Sequence, residues 1–487
     1  MSHAHAHARS TPTPAPAARL SSLTGMRFLA ALLVFLFHLS LLDAYSTPGG
    51  EHGPFAAAMK NGGWAGVTFF FILSGFVLTW SARDKDNAPA FWGRRIAKIY
   101  PNHVVTFVLA LVLYASANAT LDRAVPNFFL LQAWIPRDDV FFSINNPSWS
   151  LSCELVFYLL FPVLHRWVSR IEARRLWWWA AGVAAAIVVL PLIAQLVPAG
   201  AAFGPNHANS PLYGHSINQM WFVYIFPPSR VLDFALGILM ARIVLSGKWI
   251  KLGVLPAFAL TVIAYVVSLK VPFLFSLNAV VVIPFALLIA ATAARDAQGV
   301  GTVLGGRVWV WLGEVSFAFY LVHQTLLSFT QERLGFREAD SVAEAVGVAA
   351  LVAAVSLLLA WLLYVGVERP AMRAWSRRAR ARQPKNASAL PAEPKNASAL
   401  PAEPKNASVL PAEPKNASAL PAEPKNASAL PAEPKNVSAL PAEPKNVSAL
   451  PAEPKNASAL PAEPKTAIRD VREDGEKSEK AVTADAS

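Results

Sequence analysis

Apolar residues fill long stretches of this chain, and short polar segments separate one stretch from the next. An α-helix rises about 1.5 Å per residue, so roughly 20 apolar residues cross a hydrocarbon core about 30 Å thick. Ten stretches reach that length and predict membrane-spanning helices at 24–43, 64–82, 100–118, 150–169, 176–197, 219–245, 252–269, 272–294, 309–329 and 342–367. A shorter apolar stretch at 124–135 predicts an interfacial or re-entrant segment. The pattern therefore predicts an all-α, multi-pass membrane helix bundle.

The two ends of the chain differ in composition from its apolar centre. Residues 1–23 alternate His with Ala and then become Pro-rich, which predicts a disordered leader. Residues 384–463 repeat one decapeptide eight times, with two prolines in each copy. The prolines break any helix, and one Leu per copy cannot build a core. The predicted organisation is a leader (1–23), a transmembrane domain (24–374), and a basic flank with a disordered repeat tail (375–487).

Composition excludes several other classes of protein. Charged residues make up 15% of the chain, against about 25% in an average soluble domain. A net charge of +12 is typical of nucleic-acid binders, but the basic residues here flank apolar spans, where membrane topology explains them. The single cysteine, Cys153, excludes a disulfide framework and a multi-cysteine metal cluster. We therefore expect membrane lipids as partners, with no nucleic acid, metal or permanently bound cofactor.

Lysine and arginine accumulate in every second connection between the predicted spans. If the N-terminus is cytoplasmic, these connections all lie on the cytoplasmic side, as the positive-inside rule requires. The pattern therefore predicts that both termini are cytoplasmic.

Ionisable side chains are costly inside a bilayer, so each one within a predicted span is a functional candidate. Helical rise places His38 roughly 16 Å further out than Arg27 on the first span. Three titratable groups are expected to share a chamber in the outer half of the bundle: His38, Glu154 and His323. Four cations are expected to form an inner mouth: Arg27, Arg94, Arg95 and Lys98.

These residue types suit the two ends of an acyl-transfer reaction. Arginine presents a planar fork of donors to phosphate, and lysine adds a point charge, so the inner mouth suits a phosphate-rich acyl donor. A neutral histidine accepts the proton of a hydroxyl group that attacks an acyl carbonyl, which makes His38 a candidate base. Glu154 is a candidate either to assist His38 or to contact the acceptor hydroxyl. Cys153 is expected to be inert filler rather than a nucleophile.

Arg230 has two interpretations. Because it precedes Asp233 by three residues, the two side chains share a helix face, and an internal ion pair is the default expectation. A substrate-binding role for Arg230 is the alternative.

Six motifs occur in order along the predicted spans. They are R-x10-H (27–38), F-F-I-L-S-G-F (70–76), R-R-I-A-K-I-Y-P (94–101), P-S-W-S-L-S-C-E-L-V-F-Y (147–158), R-V-L-D-F-A-L-G (230–237) and F-Y-L-V-H (319–323). Together, over about residues 22–374, they resemble the integral-membrane acyltransferase 3 family. The resemblance implies transfer of an acyl group, usually acetyl from acetyl-CoA, to a carbohydrate hydroxyl in the bacterial inner membrane. Bacterial members of that family modify O-antigen, other surface glycans, peptidoglycan or macrolides.

The resemblance also implies roles for particular residues. His38 matches the motif histidine regarded as catalytic, Arg27 matches the motif arginine, and Glu154 matches the glutamate that follows W-S-L. The donor would bind at Arg94, Arg95 and Lys98, where a family R-x-x-R is reduced to arginine and lysine. Lysine keeps the charge but loses bidentate geometry. His323 and Arg230 are expected near the glycan or lipid-linked glycan acceptor.

Two other functions explain charges inside the membrane. A proton-coupled secondary transporter needs such charges for a relay, but the halves 24–197 and 219–367 show no convincing internal repeat. A non-catalytic membrane scaffold, recruiting partners through the repeat tail, is the second alternative.

Overall fold

A computed structural model describes residues 19–42, 53–82, 87–334 and 341–381. The predicted leader up to residue 18 and the repeat tail from residue 384 lie outside these ranges, so their predicted disorder stays a prediction. The described part of the chain is all-helical, apart from one isolated antiparallel bridge between Ala202 and Ser216. This confirms the all-α class.

The helices follow one another with short connections. The first eight are α1 Ser21–Leu39, α2 Pro54–Met59, α3 Gly62–Trp80, α4 Ala88–Leu113, α5 Leu121–Phe128, α6 Asp138–Phe141, α7 Trp149–Ser169 and α8 Leu176–Ile193. The next eight are α9 Ile217–Met220, α10 Pro227–Leu245, α11 Val254–Ser268, α12 Phe273–Ser276, α13 Val282–Ala297, α14 Arg307–Leu334, α15 Val342–Leu363 and α16 Arg369–Ala381. Two π-helical segments, Trp221–Ile225 and Tyr364–Glu368, interrupt the regular pattern.

Every predicted span coincides with a helix, but not every helix has the length and apolar composition of a span. Six helices of the described residues do: Ser21–Leu39, Pro54–Trp80, Ala88–Leu113, Asn146–Ser169, Ala173–Leu196 and Ala343–Arg378. Helices α11 and α13 are shorter, at 15 and 16 residues. Helix α10 carries Arg230, Asp233 and Arg242. The count of ten spans therefore stays a prediction.

Helix α4 begins twelve residues before the predicted start at residue 100. The Asn87 side chain accepts a hydrogen bond of 2.9 Å from the backbone N–H of Ala90, and a proline occupies the first turn. Both features are typical of a helix N-terminus. Lys98 therefore lies within α4, ten residues or about 15 Å from its first residue, rather than in the connection that precedes the predicted span.

Glycines allow the central helices to approach one another closely. A Cβ atom at Gly75 of α3 would overlap the carbonyl oxygen of Phe234 on α10, and one at Gly237 of α10 would overlap that of Ile72 on α3. In the same way, Gly313 of α14 lies against the carbonyl oxygen of Thr24 on α1. These contacts fix α1 beside α14, which carry the two histidines of interest.

Candidate active site

The two predicted histidines meet between α1 and α14. His38, in the last turn of α1, places Nδ1 3.1 Å from Nε2 of His323. Nδ1 of His323 lies 3.0 Å from the carbonyl oxygen of Phe319 in the same helix. His323 is fully buried, whereas His38 is half-buried. The structure thus brings His38 and His323 together, and the chemical roles of both residues stay predictions.

His38 lines a cavity of about 270 Å³, here called the chamber. Its aromatic wall consists of Phe37, Trp64, Phe142, Trp149, Tyr224 and Tyr320. Its polar wall consists of Asn146, Asn206, His207, Asn209, Ser210, Gln324 and Gln331. Among the described residues, this lining contains no carboxylate, lysine or arginine. The chamber thus presents aromatic rings, amide groups and two imidazoles, those of His38 and His207.

A polar contact between two loops lies at the rim of the chamber. His207 Nε2 lies 3.2 Å from a carboxylate oxygen of Asp138, at the start of α6. The hydrogen bond from His207 lowers the pKa of Asp138 below its ordinary value. Both residues lie outside the candidate membrane spans. The contact ties the loop that carries His207 to the loop that carries Asp138.

A second group of ionisable residues, here called the charged layer, lies deeper in the bundle. Its members are Lys98 of α4 and the four ionisable residues within range of its charge: Arg27 of α1, Arg95 of α4, Glu154 of α7 and Glu368 of the second π-helical segment. Glu368 accepts a hydrogen bond of 2.8 Å from the Asn102 amide. Within the described ranges, no cation of this layer comes within 4 Å of either carboxylate. The layer therefore leaves positive charge that is not held in close ion pairs.

The far side of the bundle contains a second cavity, here called the recess, of about 670 Å³. Its polar lining consists of Ser81, Asn87, Arg94, Arg95, His165, Arg166 and Ser169. Helix α3 connects the two cavities, since Trp64 lines the chamber and Leu78 lines the recess. These two residues are 14 positions, or about 21 Å, apart along the helix. Arg95 is the residue that belongs to both the recess and the charged layer.

Glu154 is the residue whose placement differs most from the expectation. Its depth along the fourth predicted span favoured a place in the outer chamber, but the structure places it in the charged layer, where it accepts a hydrogen bond of 2.9 Å from Tyr158. The physical reason is the packing of α7, which turns Glu154 toward Arg27, Arg95 and Lys98 rather than toward the His38 ring. The place beside the His38 ring is occupied by His323 instead.

Arg230 forms the internal ion pair that was the default expectation. Its guanidinium lies 3.1 Å from Asp233, and both side chains are fully buried. It also donates a hydrogen bond of 3.0 Å to Thr68 and lies over the Tyr224 ring, 4.4 Å from the ring centroid. The predicted substrate contact of Arg230 is therefore not supported, because the side chain supports Tyr224 of the chamber wall instead.

Cys153 also makes a contact inside the folded core. The thiol is fully buried and donates to the carbonyl oxygen of Ile225 at 3.4 Å. It belongs to neither the chamber lining nor the recess lining. This placement agrees with the expectation of inert filler.

Sequence reasoning missed the aromatic wall of the chamber. Tyr320 lines the chamber, and its hydroxyl is 2.9 Å from the Ser150 hydroxyl and 3.1 Å from the carbonyl oxygen of Pro147. Its place within the F-Y-L-V-H motif was the available signal. Trp64 and Tyr224 give no comparable signal, because aromatic residues are frequent throughout this chain and its spans.

Comparison with known proteins identifies the family of this chain. The family described as an acyltransferase domain matches residues 20–365, which is most of the chain. The chain belongs to the acyltransferase 3 family. Membership makes it an O-acyltransferase with membrane helices, and this sets aside the transporter and scaffold hypotheses.

Individual relatives support the assignment at two levels of similarity. Acyltransferase MdmB of Streptomyces mycarofaciens is 42% identical over 371 residues, which cover 74% of this chain and 93% of that protein. Peptidoglycan O-acetyltransferase OatA of Listeria monocytogenes is 22% identical, covering 63% of this chain and 49% of OatA. Putative peptidoglycan O-acetyltransferase YrhL of Bacillus subtilis is 23% identical, covering 63% and 48%. The chain thus spans about half the length of the last two relatives. No solved structure matches this chain.

Proposed function

We propose that this acyltransferase moves an acyl group, usually acetyl, from acyl-CoA to a hydroxyl group of a carbohydrate. The acceptor would be a cell-surface glycan such as O-antigen or exopolysaccharide, or a lipid-linked glycan, and the enzyme would lie in the bacterial inner membrane with cytoplasmic termini. The observation that carries the proposal is the position of His38. Its imidazole lines a chamber whose described lining has no lysine, arginine or carboxylate, while arginines line the recess on the opposite side of the bundle.

The donor would enter through the recess. Coenzyme A carries several phosphate groups, and Arg94, Arg95 and Arg166 line a cavity large enough to receive such groups. Arginine binds phosphate through two parallel hydrogen bonds, which favours this side for the nucleotide end of the donor. The thioester end would then extend past the charged layer, where Arg27 and Lys98 stand without a close ion pair.

The acceptor would bind in the chamber. A sugar has hydroxyl groups around its edge and apolar C–H groups on its faces, which suit a cavity with amide groups on one wall and aromatic rings on the other. Among the described residues, the chamber lining has no lysine or arginine that would select an anionic acceptor, and its His207 is already paired with Asp138. A neutral sugar hydroxyl beside His38 is the acceptor that this lining favours.

His38 would act as the base in direct transfer. Its imidazole accepts the hydroxyl proton while the sugar oxygen attacks the thioester carbonyl. The new C–O bond forms, the C–S bond breaks, and the departing thiolate takes the proton back from the imidazolium. The products are the acylated sugar and free coenzyme A, and His38 returns to its neutral form. Arg27, expected to be part of the catalytic group, would favour the negative charge that develops on the donor.

The direct test uses the purified full-length protein in detergent with isotopically labelled acetyl-CoA. Neutral and anionic sugars of matched size are offered as acceptors, and the products are analysed by mass spectrometry. We expect neutral sugars to gain one acetyl group in an enzyme-dependent manner. Hydrolysis of acetyl-CoA with no acetylation of any carbohydrate would contradict the proposed acceptor class.

A further inference from the structure

We propose that His323 is a positioning residue that fixes the tautomer of His38. The proposal rests on the base role proposed above for His38. It departs from the sequence expectation of a substrate contact, because His323 is fully buried and is absent from the chamber lining.

The Phe319 carbonyl determines which atom donates in each of the two hydrogen bonds of His323. The carbonyl oxygen of Phe319 can only accept, so Nδ1 of His323 must carry a proton and donate to it over 3.0 Å. A neutral imidazole carries one proton, so Nε2 of His323 has a lone pair. The second contact, 3.1 Å long, is then a bond in which Nδ1–H of His38 donates to that lone pair.

This direction assigns the free nitrogen of His38. With its proton held on Nδ1, neutral His38 has its lone pair on Nε2, the nitrogen left to face the chamber. Without the lone pair of His323, the Val34 carbonyl is the backbone acceptor that remains near the His38 ring, and the tautomer of His38 with its proton on Nε2 becomes more populated. A ring in that tautomer cannot take a proton from a hydroxyl group at Nε2. The lone pair of His323 therefore raises the fraction of enzyme in which His38 can act as the base.

The same contact stabilises the charge formed during transfer. When Nε2 of His38 accepts the hydroxyl proton, the imidazolium keeps its Nδ1–H bond to the His323 lone pair. A carboxylate has this role beside the histidine of the Ser-His-Asp triad. Here the neutral imidazole of His323 has that role. Its ring packs against the rings of Phe35, Phe319 and Tyr320, whose centroids lie within 6.1 Å of it.

The test compares two substitutions that differ in one property. His323→Phe keeps an aromatic ring but removes the acceptor, whereas His323→Gln keeps an amide oxygen near the position of Nε2. We expect the Phe variant to lose kcat by about tenfold or more. The KM values for acyl-CoA and for the acceptor should stay within about twofold of wild type, because His323 contacts neither. The Gln variant should recover a substantial part of kcat.

Thermal melting in detergent first establishes that each variant folds. If the Phe variant does not fold, His323→Asn replaces it, since its shorter amide reaches the Phe319 carbonyl but not His38, and we expect it to lose kcat as well. Wild-type kcat in folded His323→Phe or His323→Asn would overturn the proposal. An equal loss of kcat in His323→Gln and in the Phe or Asn variant would overturn it as well. Should His38→Gln retain full activity, the base role of His38 fails too. Loss with His38→Gln but not with His323→Phe refutes the role of His323 alone.

Discussion

Arg95 is the side chain on which the proposed binding of donor phosphates depends most. It lines the recess, its guanidinium lies over the rings of Phe91 and Tyr158, and its Nε has no hydrogen-bond partner among the described residues. Arg95→Ala removes a charge-assisted contact worth about 1.5–3 kcal/mol. We therefore expect the KM for acetyl-CoA to rise about tenfold or more, with little change in kcat, in steady-state assays of purified protein.

Two comparisons separate phosphate binding from a general effect of charge. Acetyl-pantetheine lacks the nucleotide phosphates, so its KM should be the same for wild type and for Arg95→Ala. Arg174→Ala removes an exposed arginine that pairs with Glu172 in a connecting loop, and it should leave both KM values unchanged. An equal rise in KM for acetyl-CoA and acetyl-pantetheine would count against the assignment of phosphates to the recess.

The contact between Asp138 and His207 makes the rim of the chamber sensitive to acid. Because the pKa of Asp138 is lowered in the folded protein, the carboxylate contributes stability that is complete above the ordinary aspartate value of about 3.9. That contribution is lost as the pH falls through the lowered value. We expect wild type to melt at a higher temperature than Asp138→Asn near neutral pH, and the difference to shrink on acidification. A difference independent of pH would show that the charge of Asp138 is not its cause.

At the scale of helices, the contact between α3 and α10 depends on glycine. A methyl group at Gly237 would overlap the backbone of α3, which cannot move without separating the two helices. Gly237→Ala should therefore lower the melting temperature strongly or abolish folding, measured by size-exclusion chromatography and thermal unfolding in detergent.

Gly182 of α8 supplies the matched control. A Cβ atom at this position has no neighbour within 4 Å, so alanine there adds helix propensity without a clash. Gly182→Ala should leave stability unchanged or raise it by about 1 kcal/mol. Equal behaviour of the two variants would contradict the close approach of α3 and α10.

The sequence predicted the helices better than their boundaries. Apolar length placed every predicted span on a helix, because a helix is the way a single apolar segment satisfies its backbone in lipid. Apolar length did not predict the start of α4, because the first turns of this helix contain Arg94, Arg95 and Lys98. The helix begins instead at the Asn87 cap. It also missed the π-helical segment Trp221–Ile225, which hydropathy cannot distinguish from α-helix.

The same limits explain which parts of the site could be predicted. Depth along each of two spans was sufficient to group His38 with His323, and spacing along one helix was sufficient to pair Arg230 with Asp233. The position of Glu154 depends on the depth of α4 relative to α7, and a single sequence does not give the register between two helices. The rim of the chamber, with Asp138 and His207, comes from loops that carry no periodic pattern.

At the scale of the whole molecule, the chamber and the recess lie at opposite ends of α3, and under the proposed function the two substrates therefore arrive from opposite sides. In vesicles with one orientation of the enzyme, acetyl-CoA should support transfer only from the side of Arg94 and Arg166. The acceptor should be modified only from the side of the chamber. Sealed vesicles containing labelled donor inside or outside measure this directly, and equal rates from both sides would contradict the arrangement.

The most direct test of the account is acyl transfer by His38→Gln under single-turnover conditions. Glutamine keeps the size and polarity of the side chain but cannot take up the hydroxyl proton. With labelled acetyl-CoA bound and acceptor in excess, we expect the rate of transfer to fall by about 10²- to 10⁴-fold while donor binding is unchanged. Transfer at the wild-type rate would contradict the central claim that the His38 imidazole is the base.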